Sequence, residues 1–223
     1  MPTYESKNPI EELAEFICKG LSAPNGEAKR LLASLFGTGG RYYEKHCEPS
    51  VIRAAYGLAG VDGDEGIPFA GLINAENPPS GLYGGTSVVW FPTQEAGSII
   101  SLCVGKKGLP PDEGILTRPG HRRRIAALRR YLSRMGVNVW TKTDPSAIVT
   151  GIPKVVINLF AGFEQPLNKY SCEMYCIAKV PAQRDLALKV VQSFFDLYAY
   201  ERSWNVLKHY QAEFATFIAL KRE

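Results

Sequence analysis

The sequence predicts an α+β fold, a small, mostly antiparallel sheet flanked by N-terminal and C-terminal helices. Three observations carry that prediction. Apolar residues recur at helical spacing near the N-terminus and again after Pro181. Between them, TSVVWFP and SIISLCV are β-branched and aromatic runs joined by TQEAG, the pattern of an antiparallel hairpin. After the hairpin, residues 117–135 carry seven arginines, no acidic side chain and an apolar helical stripe. A chain of 223 residues, 45% hydrophobic, can bury a sizeable core. It is expected to form a single domain over residues 1–223. Residues 1–60 give a helical layer, 61–180 the sheet, Gly-rich loop and basic helix, and 181–223 the C-terminal helices.

The elements follow in order. Pro9 opens a helix in which Ile10, Leu13, Ile17 and Leu21 share a face, with Glu11 and Glu12 favouring the N-terminal dipole. A turn over residues 20–26 leads to a second helix over 27–36, with Leu31, Leu32 and Leu35 inward and GTGG stopping it. Pro49 is expected to open a short third helix through SVIRAAYGLAG. Residues 61–85 are rich in Gly, Pro and Asn, with only IPFAGLI as strand material. A loop of that length inside a domain is usually functional. The hairpin strands are near-continuously apolar, so both faces of the sheet should be covered. Residues 137–140 and 172–180 are further strands, and Pro181 opens a helical region running to Glu223.

The basic segment, TRPGHRRRIAALRRYLSRM, reads as an amphipathic helix. Pro119 fits a first turn, Thr117 offers a cap and Gly136 terminates it. At about 100° per residue, Ile125, Leu128, Tyr131, Leu132 and Met135 gather on one side. Arg122, Arg123, Arg129, Arg130 and Arg134 fall on the other. Solvated helix faces usually mix charge signs, because like charges repel at i,i+4. A face of one sign, all arginine, suits phosphate, which arginine grips bidentately. Net charge is +4, yet residues 106–142 hold ten basic residues against Asp112 and Glu113, leaving the remainder acidic. A basic ridge on an acidic body is the footprint of nucleic-acid binding. Arg118, Lys106 and Lys107 extend the set of candidate phosphate ligands.

Several chemistries are missing. No GxxxxGK[ST], HExxH or GxSxG occurs, and GLYGGTS precedes a strand rather than a helix, unlike a dinucleotide fingerprint. Asp62, Asp64 and Glu65 resemble the start of a calcium loop without its later ligands. Five cysteines at irregular spacing, no signal peptide and no membrane-length apolar run suggest a reduced, cytoplasmic protein with neither metal nor cofactor. His46, His121 and His209 are scattered, and no catalytic residue is assigned. Glu173 and Lys179, at even spacing on one strand, are the nearest approach to a metal-dependent nuclease constellation.

Base recognition needs groups other than arginine. Tyr83 is flanked by Gly81, Gly84 and Gly85, Trp90 lies in the hairpin, and Trp140 follows the basic helix. These are the candidate base contacts, since aromatic rings can stack a base rotated from the duplex. The order Tyr83-Gly84-Gly85, a Trp-centred strand, an aliphatic strand and a further α/β segment resembles the MrcB-like N-terminal domain. That domain is the DNA-recognition module of McrB-type modification-dependent restriction proteins. The resemblance spans roughly residues 31–132. It implies binding of DNA carrying modified cytosine by base flipping, in a restriction and antiviral defence system. It also implies partnership with an AAA+ GTPase motor, in cis or in trans, and with a separate nuclease subunit. The arginine-rich helix and the aromatic-free strand IISLCV depart from the family pattern, so only Tyr83 and Trp90 are carried over. The expected function is therefore a DNA-binding module, with no membrane role. The alternatives are a nuclease built on Glu173 or the 62–65 acidic run, and an adaptor docking an acidic protein partner.

Overall fold

The fold is α+β; among the described residues a six-stranded antiparallel sheet lies between helices on both faces. The computed structural model describes residues 8–22, 25–42, 51–55, 66–73, 86–95, 97–105, 116, 120–147 and 149–201. The strands are β1 (Val51–Ala55), β2 (Phe69–Ile73), β3 (Thr86–Pro92), β4 (Ser98–Val104), β5 (Val139–Thr141) and β6 (Met174–Val180). The helices are α1 (Pro9–Cys18), α2 (Asn25–Phe36), α3 (His121–Arg134), α4 (Lys154–Leu159), α5 (Glu164–Lys169) and α6 (Arg184–Glu201). The strand order is β1-β2-β3-β4-β6-β5.

The first four strands form a meander. Trp90 pairs with Ile100 in β3–β4, and β2 joins with Gly71 opposite Val89. The backbones approach so closely at Gly71 that a Cβ there would lie 2.2 Å from the Val88 carbonyl oxygen. β1 corrects the sequence expectation. The segment after Pro49 is not helical over 51–55; Val51 pairs with Ile73 and Ala55 with Phe69. A short apolar run has no decisive period of its own, and a waiting strand edge decides it.

Alternation sorts the strand side chains between two cores. Val88, Trp90, Ile100, Leu102, Ala178 and Val180 face α1, α2, α3 and α6. Val89, Phe91, Ile99, Cys103 and Ile177 face Val156 and Ile157 of α4 and Leu167 of α5. Both faces are therefore covered, as the apolar strands require. The second cover comes from residues 154–169, a segment to which the sequence pattern assigns no element. The register of β4 and β6 shifts between Leu102 and Cys103, which pair with Cys176 and Met174 and leave Tyr175 as the extra residue of a bulge. Tyr175 thereby joins the first core together with Cys176.

Local chemistry explains the helix that matters most. α1 is capped by Asn8, whose Oδ1 accepts from Ile10 N at 3.3 Å. α3 has no such side chain. Its N-cap is Gly120, at φ 90°, and the helix runs from His121; Thr117 and Pro119, the expected cap and first-turn proline, lie outside the described residues. Its C-terminal end is as expected: Gly136 takes φ 77° and donates to Ser133 O at 3.1 Å. α3 packs on β5 and α6. No helix among the described residues is long and apolar enough to cross a membrane.

Candidate nucleic-acid interface

α3 divides its arginines between two environments. Ile125, Leu128 and Leu132 point into the first core, as the helical spacing predicts. Arg122, Arg123, Arg129, Arg130 and Arg134 are exposed. Arg122 and Arg129, like Arg123 and Arg130, are seven residues apart, hence about 10.5 Å along the axis at 1.5 Å per residue. Two parallel cationic rows result. Arg123, Arg129 and Arg130 make no ion pair with any described residue, whereas Arg122 meets Asp144 at 2.7 Å.

Arg124 turns the other way. It is buried, and its Nη2 donates to Glu201 Oε2 at 2.9 Å while its Nε donates to Oε1. Its guanidinium also lies 5.0 Å from the centre of the Tyr200 ring. His121 shares this pocket. Its Nδ1 is 3.2 Å from Glu201 Oε1, off the direction of a hydrogen bond, and its ring meets Tyr175 edge-on at 5.8 Å. Burial raises the Glu201 pKa, but the His121 ring and the Arg124 guanidinium outweigh it and hold the carboxyl below its usual range. The pocket anchors the start of α3 to the end of α6. Arg124 could have been foreseen, because residues 121, 124, 125, 128 and 132 form one stripe. Glu201, 77 residues away from Arg124, leaves no local signal.

The predicted base contacts fare differently. Trp90 is fully buried, edge-on to Phe16 and Phe195 at 6.5 Å each, so it is a core residue and not a surface stacker. Its side chain alternates onto the sheet face that α1 and α6 cover. Trp140 is half-buried on edge strand β5, opposite Ile177 and packed against the second core. Tyr83, Lys106, Lys107 and Arg118 lie outside the described residues, as does the 62–65 acidic run.

The nuclease constellation does not assemble. Glu173 precedes β6, and the Tyr175 bulge breaks the parity that would have set it beside Lys179. Lys179 pairs with Ile99 at the far end of the sheet and lies 5.8 Å from the Phe163 ring centre. Glu173 is instead buried near Cys103 and Lys142; the Lys142 ammonium donates to Cys172 O at 2.6 Å and Ala147 O at 3.2 Å. Burial pushes the Cys103 thiol up to about 12, which removes it as a nucleophile. Cys172, expected on the strand with Cys176, lies in the preceding turn. Among the described residues no group of three or more His, Cys, Asp or Glu side chains is placed to hold a metal ion. A groove of about 800 Å³ near Thr93 and Gly162 carries Glu95 and, among its described lining residues, no basic side chain, so those residues do not suit an anion.

No family model, no curated protein and no solved structure matches the chain.

Proposed function

We propose that this chain is a DNA-binding module that holds the phosphate backbone on the exposed arc of α3. One observation carries the reading: Arg123, Arg129 and Arg130 stand exposed on a packed helix with no described carboxylate to neutralise them. Arginine held on a rigid element loses less freedom on binding than arginine on a loop, and its fork matches a phosphate. Burial of the opposite face, and the Arg124–Glu201 pair, keep that arc turned to solvent.

Phosphate contacts supply affinity and orientation without reading a base. With Trp90 in the core, base recognition falls to Tyr83 and Trp140. The resemblance to the McrB-type recognition module extends the proposal to modified cytosine, base flipping and phage defence in the cytoplasm. It also supplies the motor and nuclease as partners. Free thiols at Cys103 and Cys176, buried in the fold, accord with a reducing compartment.

The test is an electrophoretic shift with methylated and unmethylated duplexes across a salt series. Binding at low salt is expected, with log affinity falling against log salt at a slope of about −4 for four to five phosphates. Equal binding to both duplexes leaves phosphate affinity and removes modification reading. Absence of binding at low salt overturns the proposal. A pull-down from lysate that survives nuclease treatment would favour an acidic protein partner instead.

A further inference from the structure

The arginine arc already carries one anion. Arg122 Nη2 lies 2.7 Å from Asp144 Oδ2, with the two side chains 62% and 40% exposed. Asp144 belongs to the turn that follows β5, across the surface from α3. Its other oxygen is occupied: Oδ1 accepts from Ser146 N at 3.0 Å and from Ser146 Oγ at 2.6 Å. With Oδ1 held within its own turn, Oδ2 is presented to α3 as a fixed acceptor. The Ser146 hydrogen bonds, and after them the charge of Arg122, hold this carboxyl below its usual range, so it is ionised throughout the physiological range.

We propose that Asp144 is a resident anion on the α3 face, occupying the Arg122 guanidinium that a phosphate of bound DNA must take over. The inference rests on the phosphate-binding reading of α3 and adds a selectivity device to it. Carboxylate and phosphate oxygens compete for the same N–H donors. A solvent-exposed pair is weak, so a ligand with several phosphates displaces Asp144 readily. A lone anion meets the competing carboxylate without the compensation of Arg123, Arg129 and Arg130. Asp144 therefore disfavours scattered small anions and favours an array of phosphates matching the helix rows. Once displaced, its charge still opposes the ligand, so the wild-type face binds less tightly than its arginines alone allow.

The experiment measures binding of a short duplex DNA by fluorescence anisotropy across a potassium chloride series. The proteins are wild type, Asp144→Asn, Arg122→Gln and the double variant. Asparagine keeps an Oδ1 for the Ser146 bonds, so the turn persists. Asp144→Asn is expected to tighten binding by about threefold at low salt, the scale of an exposed ion pair. The salt slope should stay close to wild type, because Arg122 meets a phosphate in both proteins. The gain in affinity should vanish in the Arg122→Gln background. Ser146→Ala, which loosens the carboxylate without removing it, should show a smaller gain in the same direction. An unmoved affinity in Asp144→Asn overturns the exchange, and so does a gain that persists without Arg122. Absence of duplex binding by all the proteins at low salt overturns the phosphate-binding reading itself, and the exchange with it.

Discussion

Glu201 holds Arg124 through both carboxylate oxygens, with Arg124 Nη2 donating to Oε2 at 2.9 Å and Nε donating to Oε1. The two residues join the first turn of α3 to the last described turn of α6. Of the six arginines on α3, this one serves the fold and the others face solvent. The division sets different expectations for substitutions only one or two residues apart.

Arg124→Ala removes the guanidinium that pairs with both oxygens of the buried Glu201 carboxylate. Removing one partner of a buried pair strands the other charge, and the expected loss is about 3 kcal/mol. Urea denaturation checks it. A loss within a few tenths of a kcal/mol would show that the pocket rearranges and that the pair does not anchor α3.

Arg123→Glu combined with Arg130→Glu should leave that denaturation midpoint close to wild type, since both side chains are exposed. The same change should abolish or strongly weaken duplex binding for every sequence alike. The salt slope should become shallower by about two, one for each phosphate that no longer meets an arginine. Retained wild-type affinity would move the ligand off α3.

Two buried carboxyls on α6 shift in opposite directions. Asp196 accepts from Tyr42 Oη at 2.7 Å and from Arg41 Nη2 at 3.3 Å, yet burial prevails and raises its pKa. Glu201 is lowered by His121 and Arg124. The folded state binds a proton at Asp196 more tightly than the unfolded chain does. That stabilisation is present at low pH and lost as pH rises through the raised pKa. Glu201 works in reverse, stabilising above its unfolded value and losing that contribution as pH falls through its folded one. Between about pH 3 and pH 7, Asp196→Asn should therefore gain stability relative to wild type as pH rises. Glu201→Gln should lose it. Denaturation curves across that range that move in parallel would contradict the assignment.

Trp90→Ala should cost about 4 kcal/mol, the scale for emptying a large aromatic site in a core. Fluorescence-detected urea unfolding measures the loss. The folded fraction should still bind DNA with wild-type affinity, because Trp90 touches Phe16 and Phe195 and not the surface. A selective loss of discrimination between methylated and unmethylated duplexes would return Trp90 to the recognition site.

Much of this fold is legible locally. The spacing of Ile125, Leu128 and Leu132 sets the orientation of α3, and with it the arc on which Arg123 and Arg130 stand. The apolar run in β3 and β4 predicts both a hairpin and two covering layers, because a strand with no polar face cannot meet water. Other features depend on what lies opposite in space. Residues 51–55 become a strand because β2 has an edge to complete, and residues 154–169 become helices over a sheet face that needs covering. The Tyr175 bulge changes side-chain parity, which separates Glu173 from Lys179 and ends the nuclease constellation. Trp90 looks the same in sequence whether it faces solvent or Phe195.

By itself, then, the sequence determined the α+β class, the hairpin and the one-sign arc of α3, because each follows from periodicity and charge within a single element. Tertiary structure alone decided that Arg124 turns inward to Glu201, that Asp144 meets Arg122 and that Trp90 is core. Those outcomes depend on residues brought together from distant parts of the chain, where burial and ion pairing set the energies and local spacing carries no record of the partner.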